Sequence, residues 1–231
     1  MKRFDATLDR IERRLKEMLK EVENVRLLRQ HGPWTALQAY LLRLEDKSER
    51  LTLLTRALPC YTGSGTAPEE VDEIIREAVL VEMGFTEEGW FCLRIPMLLP
   101  RKEHGSVNYV RGFLHPAMSR FFSGKPPVRY RKCVIIYRHV YARDRPERQY
   151  RDHDNIEINA VTDIVAFYTM PDDNPAVCRH FYCSAAGDPE RTEVYVVPQE
   201  DFIRWQLQEP SIPENGVFLL ENRPDLTEKA P

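Results

Sequence analysis

The hydrophobic period of this chain changes from steps of three and four residues in the first sixty positions to strict alternation at Arg131 to Tyr141, which no all-helical or all-strand fold accommodates. Leu8, Ile11, Leu15, Met18 or Leu19, Val22 and Val25 recur at helical spacing with charges between them. They predict a helix over residues 8–29, ended by His31-Gly32-Pro33. Leu37, Tyr40, Leu41, Leu44, Leu51 and Leu54 predict a second helix from Trp34 to about Leu58. Residues 1–58 therefore read as a helical hairpin, whose apolar stripe either meets a second copy or packs on the domain that follows. In the later segment Cys133, Ile135, Tyr137, His139 and Tyr141 alternate with Val134, Ile136, Arg138 and Val140, a strand with one face that contains polar groups.

Between these two regimes, residues 59–67 read as a linker, with Thr62-Gly63-Ser64-Gly65-Thr66 at its centre. The Lys and Ser/Thr that complete a phosphate loop do not follow these glycines, so no nucleotide cofactor is expected. A short helix is predicted from about Pro68, where Glu69 and Glu70 suit the positive end of a helix dipole. Residues 79–85 and 90–96 flank Thr86-Glu87-Glu88-Gly89 as a β-hairpin, with Gly89 supplying the positive φ of the turn. A helix over 108–122, bent or divided at Pro116, comes next. After the strand at 131–141 the pattern gives a helix over 155–168, strands over 177–184 and 192–197, and a helix over 199–206. The predicted class is α+β, with a helical hairpin ahead of a mixed-sheet domain over 68–209 and an irregular, lightly anchored tail over 210–231.

With 42% hydrophobic and 30% charged residues, the chain has the composition of a domain that buries a core. No apolar run approaches the roughly 18 to 20 residues that cross a bilayer, and the N-terminus lacks a signal peptide, so a cytoplasmic protein with no membrane partner is expected. The five cysteines contain no Cys-x-x-Cys pair and read as reduced, mostly buried thiols. Cys178-x-His180-x-x-Cys183 invites a zinc site, but strand alternation sends residue 183 to the opposite face from 178 and 180. His139, on a strand, reads as a satisfied polar residue. Charge is distributed unevenly: from Arg101 to Arg151 there are thirteen Lys or Arg against three acids, within a chain of net charge −3. Such a block offers a footprint for phosphates if its side chains share a face.

The segment richest in chemistry is Arg148-Gln149-Tyr150-Arg151-Asp152-His153-Asp154-Asn155, followed by the apolar helix and then Met170-Pro171-Asp172-Asp173. Asp152 and Asp154, one residue apart on extended backbone, can point the same way. With Asp173 they offer the oxygen ligands that Mg²⁺, or Mn²⁺, prefers. A plainer account makes Asp154 and Glu157 a capping box and Asp172 and Asp173 turn residues.

These residues resemble the RusA-type Holliday junction resolvases, which carry an arginine-rich approach, Asp-x-Asp-Asn, a helical Asp and a later acidic pair. The matching residues are Arg148 and Arg151, Asp152, Asp154 and Asn155, Asp163, then Asp172 and Asp173, within a similarity that spans residues 90–198. The resemblance implies a RusA-like sheet with helices, a homodimer, and Mg²⁺ held by Asp152, Asp154 and Asp173 for hydrolysis of branched DNA. Asn155, Asp163 and Asp172 would support the site, and Arg131, Lys132, Arg138, Arg148 and Arg151 would hold the nucleic acid. The family's lysine four residues after the second Asp is Ile158 here. With that departure the resemblance implies a metal-dependent, structure-specific endonuclease or a degenerate relative of one, without metal if degenerate; the alternative, from a different class, is a non-catalytic module of a mobile element that binds nucleic acid or protein. The whole chain also resembles an uncharacterised bacterial family of unknown function, family 6100, with the same helical N-terminus.

Overall fold

Helix α1 (Lys2–His31) and helix α2 (Trp34–Ala57) form the hairpin that the apolar spacing predicts, with Pro33 in extended backbone at the turn. The structure is a computed structural model that describes residues 2–103, 105–146 and 150–224. On α1 the residues at 4, 7, 11, 14, 18, 21, 25 and 28 are buried or half-buried, a three-four alternation that keeps one seam of a long helix against its neighbour. Glu21 lies within that seam and accepts from Lys47 Nζ of α2 at 2.8 Å. The chain divides into two compact units: Met1–Ile74 with Glu103–Tyr109, and Ile75–Lys102 with Val110–Pro231. Helix α3 (Ala67–Ala78) and the first turn of helix α4 (Ser106–Phe122) carry the boundaries between them. Pro116 lies inside α4 without dividing it.

The second unit is built on a five-stranded mixed sheet of β1 (Glu82–Phe85), β2 (Phe91–Ile95), β3 (Cys133–Tyr141), β4 (Cys178–Ala186) and β5 (Arg191–Pro198). Its spatial order is β1-β2-β5-β3-β4, antiparallel except for the β3–β4 pair. That parallel pair needs a crossover, which helix α5 (Asn159–Thr169) supplies. Gly89, at φ 80°, closes the β1–β2 hairpin with its N–H on the Thr86 carbonyl at 2.9 Å. The buried Tyr130 hydroxyl accepts from Phe91 N and donates to the Gly89 carbonyl, so this turn is fixed from the approach to β3.

Strand register sorts the sheet into two faces. Cys133, Ile135, Tyr137, His139 and Tyr141 share one face with Val194 and Val196 of β5 and with His180 and Tyr182 of β4. Helix α5 covers part of that face, and the buried Tyr137 hydroxyl meets Thr162 Oγ1 at 2.7 Å. On the other face Val134, Ile136, Cys92, Tyr195 and Val197 pack around Trp205 of helix α6 (Phe202–Gln208), with Phe181 and Cys183 at the border. The described part of the tail, residues 210–224, is anchored more firmly than its composition suggests, and residues 225–231 lie outside the described residues. Ile212, Val217 and Leu219 pack on the same core, and Leu220 pairs with Phe85 through two backbone hydrogen bonds of 2.7 and 2.8 Å. Gly84 makes this possible, because a Cβ there would stand 2.6 Å from the Leu220 carbonyl oxygen.

A fully buried carboxylate lies within the second face. Glu193 accepts from Arg138 Nη1 at 3.1 Å, from Arg191 Nε at 2.7 Å and from the Tyr195 hydroxyl at 2.9 Å. Arg138 Nε also donates to Glu209 at 2.8 Å. A buried charge is tolerated when its lone pairs are occupied, and removing one member strands the others. Glu193→Ala is expected to lower unfolding free energy in urea by about 3–5 kcal/mol, because it leaves two arginines buried without their shared acceptor. A loss below about 1 kcal/mol, the scale of an ordinary surface change, would contradict that account.

Candidate functional site

The parallel strands β3 and β4 and the connection between them bring together a row of aromatic and imidazole groups beside α5. Residues His153–Asn155 form a single 3-10 turn, and Ile156 returns to extended backbone. Helix α5 starts at Asn159, four residues later than the apolar pattern predicts. The capping box of Asp154 and Glu157 does not form. Glu157 is instead buried and its carboxylate accepts from Ala160 N at 3.5 Å, while Asn155 N–H bonds the Asp152 carbonyl.

This turn places the His153 ring 5.2 Å from that of His139 and stacks it on Tyr182 at 5.0 Å. Tyr182 in turn stacks on Tyr137 at 5.6 Å. His139 is only 1% exposed, and neither of its ring nitrogens has a hydrogen-bond partner among the described residues. The sequence reading of His139 as a satisfied polar group is therefore corrected. Burial, assisted by the neighbouring His153 and Arg151, pushes its pKa down to about 3. His153 is also lowered by burial, against the opposing pull of Asp152 and Asp154. Alternation shows only that His139 lies on a sheet face; the partnerless environment comes from the connection folding over it.

The predicted acids occupy the exposed margins of this row. Asp152, Asp154 and Asn155 are exposed at the entry to α5. Asp163 projects from the helix and meets Arg111 at 3.3 Å, a pair more than half exposed on both sides and of little energetic weight. Asp172 and Asp173 follow the far end of α5, which at eleven residues spans about 16 Å. Asp172 caps its own turn, accepting from Asp173 N at 2.8 Å and from the Asn174 side-chain amide. Those hydrogen bonds hold its carboxyl below the usual range. Among the described residues, no three His, Cys, Asp or Glu side chains share a metal-binding geometry. The trio of Asp152, Asp154 and Asp173 does not fit Mg²⁺ or Mn²⁺ in this arrangement.

The arginines proposed to hold nucleic acid separate by burial. Arg138 is in the core with Glu193 and Glu209. Arg151 is buried too: its Nη1 donates to the Leu99 carbonyl at 2.5 Å and its backbone N–H to the Tyr141 hydroxyl at 3.0 Å. Arg143 pairs with Glu214 and Arg145 with Glu190. The acidic C-terminal flank thus folds back onto the basic block. Arg131 and Lys132 are exposed just ahead of β3, and Arg148 lies outside the described residues. The Cys178, His180 and Cys183 trio divides as alternation predicts, with Cys183 packed beside Phe181 on the Trp205 face.

The histidine row sets a pH dependence. In the unfolded chain His139 takes a proton near its ordinary 6.5, whereas in the folded chain it resists until about 3. Its depressed value means that acid favours the unfolded state progressively as pH falls between these limits. His180, raised chiefly by its hydrogen bond with Cys178, has the opposite sign, and its contribution is lost only as pH rises. Between pH 7 and pH 5 the His139 contribution amounts to about 2 kcal/mol lost. Urea unfolding of His139→Phe, compared with the wild-type chain at both values, is expected to show a pH-induced loss smaller by that amount. An unchanged difference would contradict the assignment.

Comparison with known proteins places the whole architecture in one family. The chain belongs to DUF6100, a family of unknown function, whose model matches residues 1–219. No curated protein and no solved structure matches the chain, and nothing in these comparisons supports the resemblance to RusA-type resolvases.

Proposed function

We propose that the chain is a non-catalytic interaction module that pairs with a second copy of itself through the α1–α2 hairpin. The observation that carries this reading is an open, mainly apolar groove of about 540 Å³, lined by Leu15, Met18, Leu19 and Val22 of α1 and by Leu41, Leu44, Glu45 and Ser48 of α2. Helix α1 presents three distinct sides. One is the seam against α2. A second carries Asp9, Glu12, Arg13, Lys16, Glu17 and Lys20, whose mixed charges at spacings of three and four suit contact with water. The third is apolar, with Leu8 at 37%, Leu15 at 45% and Leu19 at 64% exposure. A solvated side already exists, so this third side is the one that gains from cover.

The hairpin itself is the occupant whose shape fits. A partner must offer two antiparallel helices with apolar residues flanking a groove, and an identical hairpin does so about a two-fold axis. Two hairpins then close a four-helix bundle in which the exposed leucines on both helices turn inward. Nucleic acid is a weaker partner because Arg138, Arg143, Arg145 and Arg151 are engaged by carboxylates or a backbone carbonyl of the same chain. Metal-dependent cleavage of branched DNA has less support still, since α5 separates the acids that it requires.

Sedimentation equilibrium of the full chain is expected to return a dimer. Leu19→Glu and Leu41→Glu each place a charge in the proposed seam and are expected to give monomers with unchanged helical circular dichroism, since both side chains are exposed in the single chain. A wild-type monomer across the accessible concentration range, or dimers that survive both substitutions, would contradict the proposal.

A further inference from the structure

Two of the five thiols face each other at the start of the parallel pair. Cys133 and Cys178 are directly paired in the β3–β4 register, and both point to the α5 face. Neighbouring strands lie about 4.8 Å apart, within the roughly 4.4 to 6.8 Å between Cα atoms that a disulfide spans. Both thiols are buried, and Cys133 Sγ lies 3.6 Å from Met170 Sδ. His180, two residues beyond Cys178 on the same face, is exposed. Cys178 belongs to β4, an outer strand of the sheet, while Cys183 is on the opposite face and Cys60 is exposed elsewhere. Among the described residues, no three His, Cys, Asp or Glu side chains, His180 included, share a metal-binding geometry with these thiols.

We infer that Cys133 and Cys178 form a redox-active dithiol, with Cys178 as the attacking sulfur, which a small hydroperoxide oxidises to an intramolecular disulfide. The thiol of Cys133 and the His180 imidazole both stabilise the Cys178 thiolate and lower its pKa, whereas Cys133 is raised by the same contact and by burial. In the first step the Cys178 thiolate attacks one peroxide oxygen and the O–O bond breaks. The departing oxygen takes a proton from His180, which leaves Cys178 as a sulfenic acid and releases an alcohol or water. In the second step Cys133 sulfur attacks the sulfenic sulfur, the S–S bond forms, and hydroxide leaves as water with the Cys133 proton. Two thiols lose two electrons and one hydroperoxide gains them. His180 acts as a positioning residue for the thiolate and as the proton donor.

Hydrogen peroxide applied to the full chain carrying Cys60→Ser, followed by non-reducing peptide mapping, tests this directly. The expected product is a Cys133–Cys178 linkage, with Cys92 and Cys183 still alkylatable after unfolding. In Cys133→Ser the resolving thiol is gone, and a sulfenic-acid trap is expected on Cys178. His180→Gln is expected to slow disulfide formation about tenfold at neutral pH but not above the ordinary thiol pKa of about 8.5, where ionisation needs no help. Cys133 and Cys178 both recovered as free thiols would overturn the proposal. An unaltered rate and pH profile in His180→Gln would overturn the assisted mechanism.

Discussion

The buried carboxylate of Glu193 is the constraint around which the C-terminal unit closes. It is fully enclosed on β5, so each of its lone pairs needs a donor, and Arg138 of β3, Arg191 of its own strand and Tyr195 supply them. Arg191 reaches onward to the Glu214 carbonyl and Arg138 to Glu209, so one charge ties two neighbouring strands to the segment after α6. This network turns part of the basic block inward. Arg138, locked against a buried acid, has no charge to offer a phosphate, whereas Arg101, Lys102, Arg131 and Lys132 of the same block stay exposed.

Much of the fold is legible in the sequence, for identifiable reasons. The hairpin, the Gly89 turn and the strands at Arg131 to Tyr141 and near Cys178 rest on local periodicity and on the φ freedom of one glycine, which no distant contact needs to supply. The late start of α5 is not legible, because Ile156 and Glu157 are taken into contacts with the chain near Pro100: the Glu157 amide donates to the Pro100 carbonyl and Ile156 bridges Arg101. The anchored tail escapes notice for a similar reason. Its irregular, proline-containing sequence says nothing of the gap over Gly84 that admits the Leu220 backbone.

The site is less legible than the fold. Asp152, Asp154 and Asp173 flank α5 as the sequence places them, yet they stay exposed at its two ends and share no metal-binding geometry among the described residues. The crossover through α5 assembles groups that are far apart in sequence. It lays His153 over His139 and sets Cys178 against Cys133, pairings that depend on register between β3 and β4 and leave no local spacing signal.

The hairpin carries the functional conclusion, since its seam with α2 uses only one of the two apolar sides of α1. Cover by an identical hairpin reconciles this surplus with the charged side that faces water. Hydrogen–deuterium exchange of the full chain, compared between dilute and concentrated solution, tests this most directly. The account predicts concentration-dependent protection confined to α1 and α2 around residues 15–22 and 41–48, the walls of the groove. Exchange that is independent of concentration in these helices, or protection that falls instead along the outer strand β4, would contradict it.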